Sequence, residues 1–446
     1  MTLRRDLRLR DLVFFNICAV ISIRWVAAAA HAGPGSITLW VIAALLFFLP
    51  SAITIASLSR RFPEEGGMYI WTKHAFGDWH AFLCGWFYFI SNVLYFPSLL
   101  LAGIGMSAYA FGGAGQRVAE EREFALPITL AVLWAAFAAN FFGLKVAKWI
   151  SAFGGTSTFI IGGLLIALAI STGLHSGVAT KFTLLPTANL ATLNFWSQIA
   201  FAFIGLELAP LVSGEICNPR SDLPRAAVIS GVISAVFYIA VTAALLVLLS
   251  PEDISPMTGL AQAGVVGATK LGVPVVGTLL AILLGIALVG QLDTWIAGNT
   301  RLPYAIGLDH YLPEAFGRTH RRWGSPYVSL VVQAVAATLF LLMAQLGETV
   351  QAAYQIMVDM MVIVTFIPFL YIFGAGFRYA NRIAAVSGLA VTIIAIALSA
   401  IPPAEMASPA VFEIKVVGGS MFFALLGWAV FKRYETLRSR LVAVSS

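Results

Sequence analysis

Residues 201–210 read FAFIGLELAP, and this stretch decides how the chain folds. It begins as an apolar run suited to crossing a bilayer, but it then places Glu207 and Pro210 where a simple spanning helix carries leucine or valine. Gly205 costs a helix interior about 1 kcal/mol relative to alanine, and proline removes an amide donor and clashes with the preceding turn. The stretch therefore predicts a membrane helix that is interrupted near its middle.

An interrupted helix frees backbone polar groups at membrane depth, where they are tolerated only if they line a cavity or are buried in protein. A carboxylate beside such a break indicates a functional site. Glu207 is therefore a candidate coupling or gating residue. The stretch then leaves the membrane through residues 214–225, GEICNPRSDLPR, a short charged loop.

The composition predicts an all-α polytopic membrane protein. Hydrophobic residues make up 60% and charged residues 11% of the chain, and the mean hydropathy is +0.89. Soluble domains carry about 25% charged residues. A bilayer core needs about 20 apolar residues per helix, and twelve runs meet this requirement: 12–34, 37–58, 81–111, 125–142, 150–171, 195–213, 226–250, 273–300, 326–346, 351–376, 383–402 and 415–431. An even number places both termini on one side.

The basic residues are distributed unequally between the two sides. With Arg24 set aside as intramembrane, the tails and alternate loops hold 21 of the 27 Lys and Arg residues, whereas the opposite side holds five: Arg117, Arg122, Lys181, Lys270 and Lys415. The positive-inside rule then predicts cytoplasmic termini in a cell membrane. The excess charge is a topology signal, so we expect the lipid bilayer as a partner and no nucleic acid. The oligomeric state stays open.

The sequence offers no set of residues for catalysis or metal binding. Cys18, Cys84 and Cys217 lack paired spacing, and the six histidines form no cluster. There is also no phosphate-binding glycine loop and no pair of carboxylates at short helical spacing. We therefore expect no enzyme activity, no metal and no cofactor.

The first run carries a full charge, Arg24, at its centre. A basic head and an apolar stretch could also indicate a signal peptide. However, Arg24 interrupts that stretch. Eleven further spans also require a first transmembrane helix if both termini are to lie on the same side. An unpaired Arg at the bilayer centre costs about 2.5 to 3.5 kcal/mol, so Arg24 should face a cavity, a substrate or a structural partner.

Other spans carry polar residues that are open to two interpretations. Asp293, in the eighth apolar run (helix 8, residues 273–300), is either a substrate or ion ligand or a structural partner of Arg24 or of another polar group. Asp359 in helix 10 is a weaker candidate. Thr158 belongs to a polar patch in helix 5, where hydroxyls usually bond their own backbone or a neighbouring helix.

Helices 1 and 6 are both interrupted, and they stand five spans apart. Interrupted segments at matching positions in two halves are the best sequence sign of an inverted-repeat transporter with its site at the midplane. We predict one transmembrane domain over residues 1–446. Its repeats are helices 1–5, about 12–171, and helices 6–10, about 195–376, with peripheral helices 11 and 12 at about 383–431.

Four motifs resemble the amino acid, polyamine and organocation transporter superfamily, over essentially the whole chain. They are FAFIGLE at 201–207, Glu215 with NPR at 218–220 and PR at 224–225, PEEGG at 63–67, and the segment 301–313 that ends in DHYLP. Within the superfamily, helix 1, the PEEGG loop and WIAG at 295–298 are most similar to glutamate/GABA antiporter-type permeases.

The resemblance implies a LeuT-like fold of 5+5 inverted repeats that works by alternating access. It also implies a substrate site at the two breaks, with the substrate carboxylate on free amides near the positive end of a half-helix. The substrate amino group would lie on freed carbonyls, Phe201 would close over the substrate, and Glu207 would hold the broken helices together or carry a proton. The candidate site residues are Ala19, Val20, Ile21, Ser22, Ile23, Arg24, Phe201, Ala202, Phe203, Ile204, Gly205 and Asp293.

The sequence departs from the family pattern at two places that affect coupling and substrate. Helix 1 lacks the usual Gly-Ser-Gly-like cluster, and Thr158 stands about where some proton-coupled members have Lys, so proton coupling, sodium coupling and pure exchange all stay open. A free Arg24 favours an acidic or zwitterionic substrate, a free Asp293 favours a cationic amino acid or polyamine, and a pair of the two favours an apolar one. The leading prediction is a secondary transporter of an amino acid or small amine; the alternatives are a cationic-substrate transporter and a non-transporting sensor or channel.

Overall fold

The computed structural model describes residues 6–64, 66–183, 185–186, 190–344, 350–401 and 413–445. Over these ranges the regular structure is helical, apart from one isolated β-bridge between Leu7 and Ile216. Glu65 of the PEEGG motif, the ends 345–346 and 402 of two predicted runs, and the extreme ends of the predicted domain lie outside the described residues.

The first half of the chain forms nine α-helices. They are α1 Leu9–Val20, α2 Arg24–His31, α3 Ser36–Ala43, α4 Leu49–Arg61, α5 Met68–Phe76, α6 Asp78–Ala108, α7 Gly112–Glu120, α8 Arg122–Phe141 and α9 Leu144–Ser176. A π-helical segment, Ala44–Phe48, joins α3 to α4 without interrupting the span.

The second half begins with the predicted interrupted helix and continues through long spans. Its helices are α10 Leu190–Phe201, α11 Pro219–Leu248, α12 Gly259–Lys270, α13 Pro274–Asn299, α14 Arg301–Leu308, α15 Tyr327–Ala344, α16 Val350–Tyr379, α17 Arg382–Ser399 and α18 Gly419–Ser445. A 3-10 segment, Ala209–Glu215, follows the break after α10.

The prediction of an all-α polytopic membrane protein is confirmed. Among the described residues, nine helices are long and apolar enough to span a membrane, and the bent pair of α1 and α2 makes ten. The other two predicted runs coincide with the shorter apolar helix Tyr327–Met343 and with α10 plus its 3-10 segment. The count of twelve spans stays a prediction.

The spans differ in how far neighbouring helices cover them. In the most apolar 18-residue stretch of the α6 span, 94% is buried by the rest of the protein. In the corresponding stretch of the last span, Val416–Thr436, only 22% is buried. Helix α6 therefore lies at the centre of the bundle, and α18 presents most of its surface outward.

Helices α9 and α13 cross at two glycines that face each other. A Cβ atom on Gly154 would lie 2.6 Å from the Cα of Gly290, and one on Gly290 would lie 2.5 Å from the Cα of Gly154. Small residues at a crossing allow membrane helices to approach closely, and van der Waals packing then drives their association. This crossing fixes α13 against α9 and thereby positions the polar residues of α13.

We expect Gly154→Ala to lower the thermal stability of the detergent-solubilised protein by several degrees, because the new methyl group forces α9 and α13 apart. Gly163→Ala is the matched control on the same helix, since a Cβ there meets nothing within 4 Å. Alanine should leave the melting temperature unchanged or raise it slightly at that position. Fluorescence-detected size-exclusion chromatography after heating measures both, and equal melting temperatures would contradict the role of the crossing.

Candidate substrate site at two helix breaks

The first span is broken where the sequence predicted. Helix α1 ends at Val20, α2 begins at Arg24, and the two axes differ by 41°. Ile21 has an extended backbone with ψ of 92°. The carbonyl groups before the break therefore lose their helical partners.

Two side chains of α13 satisfy three of these carbonyl groups. The Gln291 amide donates to the carbonyl oxygens of Cys18 and Ile21, both at 3.2 Å. The indole nitrogen of Trp295 donates to the carbonyl oxygen of Ala19 at 3.0 Å. Residues four apart share one face of a helix, so this face of α13 caps the break.

Tyr238 of α11 lies between the two breaks. Its hydroxyl oxygen is 2.6 Å from the Val20 carbonyl oxygen and 3.0 Å from the Ala202 carbonyl oxygen, and it accepts a hydrogen bond from the Ser22 amide at 2.9 Å. The Ser22 hydroxyl in turn donates to the Gln291 side chain at 2.8 Å. One buried network thus links both interrupted spans.

The second break begins after Phe201, and its backbone touches the first break at Gly205. This glycine has φ of 138°, a conformation that disfavours any side chain. A Cβ there would lie 2.9 Å from the Ala19 carbonyl carbon and from the Val20 nitrogen. Only glycine lets the two breaks approach so closely.

Glu207 holds the second break together. Its carboxylate accepts hydrogen bonds from the Gly205 amide at 2.8 Å and from the Tyr88 hydroxyl of α6 at 2.9 Å. The side chain is buried. These bonds tie the second break to α6, and both predicted roles of Glu207, the link between the broken helices and the coupling, stay predictions.

Arg24 lies beside the first break with its guanidinium group buried among aromatic rings. Its Nη1 donates to the Ser98 hydroxyl at 3.0 Å. Its Cζ lies 4.4 Å from the ring centroid of Trp25 and 4.8 Å from that of Tyr95. The ring of Trp25 packs edge-on against Phe201, 5.4 Å between centroids, so Arg24 and Phe201 approach the same space.

Two predicted site residues make their hydrogen bonds elsewhere. Asp293 is buried on α13, two residues from Gln291 and so on the opposite face, and it accepts from the Asn140 amide of α8 at 2.6 Å. Among the described residues, no ion pair joins it to Arg24. The Thr158 hydroxyl donates to the Gly154 carbonyl oxygen of its own helix at 3.0 Å. The substrate and coupling roles of both residues stay predictions.

Sequence reasoning overlooked the side chains that cap the breaks. Tyr88, Tyr238, Gln291 and Trp295 are absent from the predicted site, although each donates to it. For α13 a signal existed, because Gln291 and Trp295 are spaced four apart on one helical face.

At the end of the molecule that carries the N-terminus, the chain closes over the site. The Glu215 carbonyl oxygen accepts from the Asp6 and Leu7 amides at 3.0 Å, and the Leu7 carbonyl oxygen accepts from the Cys217 amide at 2.9 Å. The Glu215 carboxylate also forms a buried ion pair with Arg301, 2.9 Å to Nη2.

A cavity of about 340 Å³ lies beside this closure, between α1 and α9. Leu7, Phe14 and Ser151 contribute to its lining, and the ion pair of Asp11 with Lys148, 2.7 Å, lies at its wall. Cys18 is one helical turn beyond Phe14 toward the break. The cavity thus leads toward the site but stops short of it.

The structure also brings together the loops of two sequence motifs. In α5, just after the PEEGG motif, the Tyr69 hydroxyl and the Lys73 ammonium both approach Asp309 of the DHYLP motif at 2.6 Å. Burial and this hydrogen bond raise the pKa of Tyr69 above its usual value. These contacts join the loops at the ends of α4 and α14.

Comparison with known proteins identifies this architecture. The sequence profile of the family described as "Amino acid permease" matches residues 7–431. The chain belongs to this amino acid permease family. Its match covers both breaks, the closure at Glu215 and the start of α18.

Curated relatives of this permease include several transporters. An uncharacterized transporter of Legionella pneumophila is 24% identical over 97% of this chain and 98% of its own length. A probable agmatine/putrescine antiporter of Lactococcus lactis is 24% identical over 74% of this chain and 70% of its own. A serine/threonine exchanger of Bacillus subtilis is 26% identical over 71% of each. The permease is therefore a secondary transporter of amino acids or amines, and not an enzyme.

We expect Glu207→Gln to lower exchange more than tenfold while expression stays near wild type. An amide can keep the Gly205 bond only by turning its NH2 toward Tyr88, whose hydroxyl proton then loses its acceptor, and a buried unsatisfied group costs about 1 to 3 kcal/mol. Counterflow in proteoliposomes measures the exchange rate. Tyr88→Phe, which keeps the Gly205 bond, should lose less, and normal exchange by the Gln variant would exclude the linking role.

We expect Glu215→Gln to open the closure, because removal of one partner from a buried ion pair costs about 3 to 5 kcal/mol. Maleimide labelling of Cys18, buried in the wild type, should then accelerate severalfold. Peptide mass spectrometry reads each thiol separately, and Cys84, buried in α6, is the internal control. Unchanged labelling of Cys18 would show that the closure does not depend on this pair.

Proposed function

We propose that this permease exchanges amino acids across the cell membrane by alternating access, with substrate bound at the two helix breaks and both termini in the cytoplasm. The observation that carries the proposal is the position of Tyr238, whose hydroxyl group contacts Val20 of the first break and Ala202 of the second. Any relative movement of the interrupted spans must alter this contact. A transport cycle that opens the site to either side would use that movement.

The backbone around the breaks supplies the groups that an amino acid requires. The first amide groups of α2 point from the positive end of a half-helix, which favours a carboxylate. The Ile204 carbonyl oxygen accepts no hydrogen bond from the described residues, so it is open to the substrate ammonium group. Phe201, beside Trp25, would cover the bound molecule.

Exchange is favoured over uniport by the relatives. One of them is a serine/threonine exchanger, and another is a probable agmatine/putrescine antiporter. The coupling ion is a separate matter: proton coupling would use Glu207, whereas sodium would need oxygen ligands near the breaks. The unequal distribution of Lys and Arg supports the orientation with the closure at Glu215 facing the cytoplasm.

The test is radiolabelled exchange in proteoliposomes loaded with a mixed amino acid pool. Serine, glutamate, leucine, arginine and putrescine are offered outside, each under a proton gradient, a sodium gradient or neither. Saturable uptake that internal solute accelerates supports an exchanger. Flux without this acceleration would indicate a channel, and the absence of any flux would indicate a sensor; either result would overturn the proposal.

We expect Tyr238→Phe to lower the exchange rate at least tenfold, because it removes the contact between the two breaks and leaves the buried Ala202 carbonyl oxygen without a donor from the described residues. Thr242→Val is the matched control one turn further along α11. Its hydroxyl accepts a hydrogen bond from the indole of Trp40, 3.0 Å, and the Trp40 ring stacks on Tyr238, so this variant loses a buried hydrogen bond beside Tyr238 but keeps the hydroxyl that reaches the breaks. If both variants exchange at the wild-type rate, Tyr238 does not link the breaks during transport.

A further inference from the structure

The guanidinium group of Arg24 has an edge without a partner. The residue is fully buried, and Nη1 alone donates a hydrogen bond, to Ser98. Nε and Nη2 make no hydrogen bond with the described residues, although the hydroxyl groups of Tyr95 and Tyr354, both uncharged donors or acceptors, lie near the guanidinium group. In arginine these two nitrogens lie on one edge of the planar group and form the fork that matches the two oxygens of a carboxylate.

The chain itself offers this edge no carboxylate within the part that the structure describes. Glu207 is bonded to Gly205 and Tyr88, and Asp293 is bonded to Asn140. Asp359, also buried, accepts from the Gln198 amide at 3.5 Å and forms no ion pair with Arg24 among the described residues. A buried charge without a counter-ion is costly. The faces of Trp25 and Tyr95 offset part of that cost through cation-π attraction, but they leave the N–H fork free.

The guanidinium group lies beside residues that contact both breaks. Trp25, which stacks on the guanidinium group, contacts Phe201 of the second break. Tyr95, on its other side, lies 4.8 Å between ring centroids from Trp295, which caps the first break. A substrate at the breaks would therefore reach the guanidinium group.

Arg24 is also the first residue of α2, and the N-terminal end of that helix is a second positive site. The amides of Trp25 and Val26 donate to the Ser22 and Ile23 carbonyl oxygens, whereas those of Ile23 and Arg24 donate to no described residue. The half-helix end can take one carboxylate, and the side chain, several bonds away, can take another. An amino acid can supply these two carboxylates only if it is dicarboxylic.

We propose that the substrate is an acidic amino acid, whose α-carboxylate lies on the start of α2 and whose side-chain carboxylate lies on the Nε–Nη2 edge of Arg24. This inference rests on the proposed function and names the substrate class of the same site. A diamine such as putrescine would bring positive charge against a buried cation and would be rejected. The permease therefore differs in substrate from its relative named as an agmatine/putrescine antiporter.

Glutamate and glutamine test the proposal, because they have nearly the same size and differ in the side-chain charge. Wild-type permease should exchange glutamate with a half-saturating concentration 10 to 100 times lower than that for glutamine, the ratio expected of a charge-assisted hydrogen bond. Arg24→Gln should abolish this preference, because it weakens the binding of glutamate far more than that of glutamine, and Arg24→Lys should keep part of it. Putrescine should not compete.

Arg301→Gln is the matched control, since it neutralises another buried arginine at the closure. It should change the exchange of both amino acids alike and leave their ratio unaltered. If Arg24→Gln does not transport, the rise in melting temperature that each amino acid causes in the purified variant gives the ratio of the affinities for glutamate and glutamine.

The outcomes separate the two proposals. A wild type that exchanges glutamine as well as glutamate, or an Arg24→Gln variant that keeps the glutamate preference, overturns the role of Arg24 but leaves the exchanger intact. An equal loss of affinity for both amino acids in Arg24→Gln, measured by exchange or by thermal protection, would also overturn the proposal. No exchange of any amino acid by the wild type would overturn the proposed function itself.

Discussion

Backbone groups that lose their helical partners in an apolar interior must find new ones, and the architecture of this permease depends on that constraint. No water competes at membrane depth, so freed carbonyl groups take donors from other helices or stay open to a substrate, as the Ile204 carbonyl group does. Gln291, Trp295 and Tyr238 supply these donors to the first break. Two interrupted spans are thereby held by hydrogen bonds rather than by continuous helical geometry.

Close approach of the backbone makes this arrangement possible. Gly205 lets the second break touch Ala19, and the contact of Gly154 with Gly290 presses α13 toward the bundle so that its polar face reaches the first break. In lipid, helices gain little from the hydrophobic effect on packing together, and small residues at crossings carry the association instead. The glycine positions thus fix where the polar side chains can act.

The breaks could be predicted from sequence because glycine, proline and charge are local signals. The side chains that satisfy the breaks could not, since Tyr238 is 216 residues from Ser22 in the chain and Gln291 is 269 residues from it. Asp293 attracted attention by its charge, whereas helical spacing places Gln291, two residues away, on the face that meets the break. Charge marks a residue as unusual, but only packing shows which way it points.

The hydroxyl group of Tyr238 carries one proton, yet two carbonyl oxygens, those of Val20 and Ala202, lie within reach of it. It can donate to only one of them at any instant. The two interrupted spans therefore compete for a single hydrogen atom, and the Val20 oxygen is the nearer acceptor, at 2.6 Å against 3.0 Å for the Ala202 oxygen. A rotation about one C–O bond, with no movement of any helix, is enough to transfer the bond from one span to the other.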